Sequence, residues 1–154
     1  MDWIAALLRW FHELAAVAWL GLQYYTDFGY RRARAAAAAS PSGAEVLDGF
    51  VAGRLGHMLR TCAVIAWLLG CGLLSTLSVP GHSGFVEAFA LRGIYAPIGI
   101  GAWLGTVMLA ITLGPMRTHD VASALFWARI NTVLSVPMLF FMAFGFSHQG
   151  IVGL

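Results

Sequence analysis

The chain has 154 residues, 60% of them apolar and 10% charged, with glycine at 18 positions. Too few polar side chains remain to coat a soluble globule, so the composition is that of one integral-membrane domain whose main solvent is the lipid bilayer. A formal net charge of +2 is too small for a nucleic-acid surface, and with no lysine every fixed positive charge is an arginine.

In chain order, four apolar stretches reach the length of about 20 residues that crosses a bilayer. They cover about residues 3–25, 58–79, 95–114 and 126–147. No basic segment or small-residue cleavage site precedes the first, so it is expected to be a retained span and not a signal peptide. After it, Arg31, Arg32, Ala33, Arg34 and five alanines are strong helix formers that should carry the helix beyond the membrane as far as Ser40 and Pro41. Ser42 and Glu45 then read as a capping box opening the second helix near Gly43. The expected fold is all-α: a four-transmembrane-helix bundle with a long cytoplasmic αα-hairpin between helices 1 and 2.

Pro80 to Gly84 should break the chain, with a short interfacial helix over Phe85–Leu91 before Gly93 and Pro97 open the third span. Thr118 is the expected N-cap of the last helix, and Pro137 inside it predicts a kink. Cys62 and Cys71 lie nine apart on one helix, on roughly opposite faces, and so should not bridge. The loops between spans one and two and between spans three and four hold most of the arginines. The positive-inside rule therefore puts them in the cytoplasm and both termini outside, at a bacterial inner membrane.

Chemistry is expected in the first span. Arg9, His12 and Glu13 can meet on one helical face, with Trp19 seven residues beyond His12 and Ala15 and Ala16 leaving room beside it. A neutral imidazole can bind a metal through one ring nitrogen while a second group holds the other, which suits haem iron in a dry bundle. His12 is the first-choice ligand. His148, at the end of the fourth span, lies on the same side of the membrane and is the second candidate. The alternative for this group is an Arg9–Glu13 ion pair at the interface with His12 bonded to a neighbouring helix. Asn131 reads equally well as buried polar glue or as a cofactor contact. His57 and His119, at the opposite helix ends, are weaker candidates for a second haem or metal site. Gly99, Gly101 and Gly105 form a small-residue stripe, including G-x-x-x-G, that lets helices approach closely. Trp3, Trp10, Trp103, Tyr24, Tyr25 and Tyr95 are expected in aromatic belts.

These patterns resemble a family. Arg9-Trp10-Phe11-His12-x6-Trp19-x-Gly21-x3-Tyr25 is similar to the first helix of the N-terminal membrane domain of bacterial membrane-bound urate oxidases. Gly101-Ala102-x-x-Gly105-Thr106-x-Met108, Pro115 and Asn131-x5-Pro137-x4-Met142-x5-His148 resemble the last two helices of that domain in order and spacing. The first helix also resembles the four-span bacterial protoporphyrinogen oxidases, whose last helix Arg129-x-Asn131 and Pro137 echo. Copper-resistance D type proteins share the helical fold. The resemblance implies a four-helix unit with a haem b or related redox role, His12 being the matching histidine. This chain has neither the C-x-x-C-H of the urate oxidases nor the third-helix lysine of the protoporphyrinogen oxidases.

The expected function is accordingly a small membrane oxidoreductase or electron carrier. It would bind haem b and pass electrons between a small reductant or quinone and an electron-transfer partner. His12 and His148 would ligate the iron, Arg9 and Glu13 would fix the imidazole and balance charge, and Asn131 and Trp19 would line the site. The competing expectation is a non-catalytic accessory subunit of a larger respiratory or photosynthetic membrane complex.

Overall fold

The structure, a computed structural model, describes residues 3–77, 83–117 and 120–148; the side chains of residues 41 and 145–148 also lie outside the described set. Among the described residues every regular element is helical, and four helices are long and apolar enough to span a membrane.

The first path runs from Trp3 to Ala37 as α1 (Trp3–Tyr24), a π-helical turn over Tyr25–Tyr30, and α2 (Arg31–Ala37). The second comprises α3 (Pro41–Phe50), a second π-turn over Val51–Leu55, and α4 (Gly56–Thr76). A short α5 (Gly84–Phe89) and a 3-10 turn over Gly93–Tyr95 lead into α6 (Ala96–Leu113). A second 3-10 turn over Pro115–Arg117 precedes α7 (Val121–His148).

The start of α3 differs from expectation because proline moves the cap. Ser40, not Ser42, caps α3: its backbone is extended and its side chain accepts from the Gly43 N–H. Pro41 at the first helical position has no N–H to satisfy and a φ already suited to the helix, which moves the cap back two residues. Thr118 lies outside the described residues, and the first turn of α7 is capped by Asp120, whose carboxylate accepts from the N–H groups of Ala122 and Ser123. Helix α5 ends as the Arg92 N–H bonds the Glu87 carbonyl, with Leu91 at φ 54° in the left-handed region. Pro137 lies within a continuous α7.

The bundle is up-down-up-down. Helix α1 packs chiefly along α4 and α6 along α7, and α4 with α6 and α1 with α7 complete the ring. The antiparallel register of the first two paths follows from their contacts: Leu8 faces Gly72, His12 faces Gly70, and Tyr30 of the first π-turn meets Asp48 of α3. One core cluster gathers Trp19, Leu20, Leu59, Ala63, Ala66, Met108 and Met138. A second forms around Leu74, Ala88, Tyr95, Ile98 and Ala102, where α5 folds against α6.

Small residues set the helix spacing unevenly. A Cβ at Gly99 would collide with the Ala88 carbonyl, and one at Gly101 would lie 2.9 Å from Met142 Cγ. Gly99 is therefore needed for the close approach of α5, a Cβ at Gly101 would force the Met142 side chain to shift, and around Gly105 there is open space to 4 Å. The aromatic residues also divide. Trp3, Trp10, Tyr25 and Trp103 are exposed, as a belt requires, but Tyr95 is buried with its hydroxyl donating to the Leu77 carbonyl, and Tyr24 bonds Ser135 across to α7. Both cysteines are free thiols.

Candidate functional site

The inward stripe of the first helix is His12, Ala16, Trp19, Gln23, Asp27 and Tyr30, each three or four residues after the last and so on one face. It organises three levels along the bundle: an apolar cavity, a polar layer and a charged cavity.

The apolar cavity has a volume of about 560 Å³. Its walls come from α1, α4, α6 and α7, with Phe89 of α5 at one side. Trp19, Trp67, Phe89, Met138 and Met142 supply large apolar surfaces, and Ala16, Ala66, Gly70, Ala102 and Gly105 leave the space between them. Arg9, His12 and Glu13 line the same cavity, so the structure brings this part of the expected site together.

His12 is held differently from expectation. Its Nδ1 lies 2.8 Å from the carbonyl oxygen of Ala66 on α4. A carbonyl only accepts, so Nδ1 must donate, and in the neutral imidazole Nε2 is then the bare acceptor. The ring fits against α4 because residue 70 is glycine: a Cβ there would sit 2.9 Å from His12 Cε1. The ion pairs among the described residues are Asp27–Arg31 and Arg34–Asp48, so Arg9 and Glu13 are not paired with each other. The group fixing the imidazole is the Ala66 carbonyl, while Arg9 and Glu13 stand beside it on the cavity wall.

Trp19 is 4% exposed and its indole N–H has no partner. A buried donor left unmade costs about 1–3 kcal/mol, and this one belongs to a side chain that lines the cavity. The backbone of His148 ends α7, but its side chain, like the whole of His82 and His119, lies outside the described residues. His57 is exposed at the start of α4. No group of three or more His, Cys, Asp or Glu side chains able to hold a metal ion occurs among the described residues.

Asn131 is not on the cavity wall. It is fully buried one level below, in the polar layer, where its amide N–H groups reach Gln23 Oε1 at 3.2 Å, the Met108 carbonyl at 3.1 Å and Thr112 Oγ1 at 2.9 Å. Of its two readings, the bonds are those of polar glue joining α1, α6 and α7. Gln23 Nε2 and Asn131 Oδ1 are nevertheless buried without partners.

Beneath this layer lies the second cavity, of about 280 Å³, between the two π-turns and the start of α7. Thr26 and Tyr30 of the first π-turn, and Val51, Ala52 and Leu55 of the second, line it together with Asp48, Arg60, Thr112 and Arg117. Asp48 accepts from the Tyr30 hydroxyl at 2.6 Å and from Arg34 Nε at 3.0 Å, which ties α2 to α3.

Sequence reasoning missed Gln23, Gly70, Thr112 and Arg60. Gln23 carried a readable signal, since a glutamine amid apolar residues, eleven after His12, falls on the same helical face. Gly70 carried none, because its importance lies in what α1 places against it. No family model matches the chain, and neither does any curated protein or any solved structure.

Proposed function

We propose that the apolar cavity takes a flat, largely apolar redox cofactor, haem b, which His12 would hold through Nε2. The chain would then be a small electron carrier or oxidoreductase of the bacterial inner membrane, working between a small reductant or quinone and a partner. The observation that carries this reading is the His12–Ala66 hydrogen bond: it fixes the tautomer that leaves Nε2 free, as the outer-shell partner of a metal-bound histidine does.

The residues fit such a group. The cavity volume of about 560 Å³ falls within the range of roughly 300–1,000 Å³ common to small-molecule sites, which are mostly apolar with a few placed polar groups. A porphyrin supplies most of the iron's ligands itself, so a single anchored imidazole would suffice to hold it. When bound, the iron would supply one-electron chemistry. Met138 and Met142 line the same wall and, with the expected His148, would be further residues able to hold the group. Trp19, whose indole N–H is unpaired, would donate to an acceptor of the group, Arg9 would meet its acidic substituents, and Glu13 would balance the charge. The apolar walls exclude water and so bear on the potential.

In the proposed orientation the arginine-bearing turns face the cytoplasm, both termini face outward, and α2 with α3 forms a hairpin on the cytoplasmic side. A second reading, an accessory subunit of a larger complex, draws on α1: only 11% of its apolar window is buried, against 39% for the third span, which leaves a wide face for lipid or a partner helix.

The test is a reduced-minus-oxidised visible spectrum of the protein purified in mild detergent and reconstituted with haem. The expected result is a sharp b-type band that His12→Ala abolishes and His12→Ala plus free imidazole restores. A flat spectrum from folded wild-type protein would overturn the haem reading and leave the subunit reading.

A further inference from the structure

The smaller cavity has features that the haem reading does not use. It sits where two π-turns on neighbouring helices meet, over Tyr25–Tyr30 and Val51–Leu55. Single π-turns are uncommon departures from the α-ladder and occur often at functional sites. Two converging on one cavity open a space that regular helices would close.

The polar inventory of that space is lopsided. Each hydroxyl on its wall has already spent its proton: Thr26 donates to the Leu22 carbonyl, Thr112 to the Met108 carbonyl and Tyr30 to Asp48. Asp48 is itself paired with Arg34. The donors that remain are the guanidinium groups of Arg60, on α4, and Arg117, on the turn before α7. Neither has a carboxylate partner within ion-pair distance among the described residues. The two guanidinium groups favour a ligand that accepts hydrogen bonds and carries negative charge, with a body small enough for about 280 Å³.

We infer that the cavity between the π-turns is a binding site for a small oxyanion, a phosphate or carboxylate group, held between Arg60 and Arg117. Paired guanidinium groups suit the planar or trigonal oxygens of such groups. Thr26 and Thr112 present acceptor oxygens, which only a protonated oxygen of the ligand can meet, and Val51, Leu55 and Leu59 give an apolar floor that strengthens the charge contacts. The oxyanion has two possible sources: a soluble ion, or the phosphate of an anionic lipid reaching in from the cytoplasmic leaflet. The proposal is independent of whether haem binds at the other end.

Thermal unfolding of the full chain in an uncharged detergent tests it, first with inorganic phosphate and then in nanodiscs of phosphatidylcholine with or without phosphatidylglycerol. A saturable rise in Tm with inorganic phosphate is expected. Its apparent Kd should weaken at least about tenfold in Arg60→Gln and in Arg117→Gln, the loss of one charge-assisted contact. It should be unchanged in Arg54→Gln, whose arginine lies in the second π-turn but off the cavity wall. A rise seen only with phosphatidylglycerol, and lost in the same two variants, assigns the site to a lipid phosphate. An equal rise in wild type, Arg60→Gln and Arg117→Gln, or no rise under any condition, overturns the proposal. Arg117 is exposed on a short turn, so its variant folds even if that of Arg60 does not, and the test stands on it alone.

Discussion

The two ends of the bundle make room for a ligand in different ways. Around His12 the helices keep regular α geometry, and space arises by omission: Gly70 and Gly105 have no side chain and Ala16, Ala66 and Ala102 a minimal one, while Trp19, Trp67 and Met142 hold the helices apart. Around Arg60 small residues also occur, at Ala52, Gly56 and Ala124, but there the backbone itself departs from the α-ladder in two π-turns that line the space. The first device yields a wide apolar cavity with one fixed imidazole; the second yields a tighter one with unneutralised charge. Between them Gln23, Thr112 and Asn131 form a polar layer that keeps the two environments apart.

That separation can be broken most severely at Asn131. Asn131→Ala removes the donor to three acceptors on α1 and α6 and leaves the Gln23 amide buried with no partner for either atom. Each stranded buried group costs about 1–3 kcal/mol, although hydrogen bonds between membrane helices often measure nearer 1 kcal/mol because the separated helices find other partners. A net loss of about 2 kcal/mol is expected, read as a lowered unfolding midpoint in detergent. Because the layer ties together α1, α6 and α7 between the two cavities, haem affinity and phosphate affinity should fall together. A loss at one end alone would mean that the layer belongs to that end.

Gly70→Ala acts at a single end. The added Cβ would stand 2.9 Å from His12 Cε1 and 3.3 Å from Nδ1, so the imidazole must swing off the Ala66 carbonyl. The ring is the far end of a flexible side chain, so the fold is kept while the tautomer is released. Loss of such an outer-shell partner typically weakens metal affinity roughly 10–100-fold. Haem titration should show that weakening while phosphate binding stays at the wild-type level.

The sequence carried the bundle well, because span length and hydropathy are read along one chain. His12, Glu13, Arg9 and Trp19 were equally legible, since helical periodicity alone places them on one cavity wall. The partner of His12 was not: the Ala66 carbonyl is backbone, present at every position, and only packing selects it. Asn131 stood out as a buried polar residue, yet its place in a layer between cavities depends on Gln23 and Thr112 from two other helices. The π-turns left no trace in composition, since Tyr25–Tyr30 and Val51–Leu55 use residues that also suit an ordinary helix. Arg60 lies at the start of an apolar run, with nothing in its neighbours to set it apart.

The mildest change falls on Gly105 and settles how the apolar cavity is made. As one end of a G-x-x-x-G pattern, Gly105 reads as a packing residue, and then any Cβ would push α6 from its neighbour and cost about 1–3 kcal/mol. The structure instead divides the pattern, with Gly101 pressed against Met142 and Gly105 facing open space on the cavity wall. Gly105→Ala should then gain rather than lose stability, by up to about 1 kcal/mol, as alanine restrains the unfolded chain and suits a helix interior better than glycine. The check is a pair of unfolding curves: Gly101→Ala lowers the midpoint and Gly105→Ala holds or raises it. The new methyl group also takes up cavity volume, so Gly105→Ala should bind haem more weakly while being no less stable. If both alanines destabilise alike, α6 closes on its neighbour at residue 105 and the apolar cavity is narrower than the ligand it is proposed to hold.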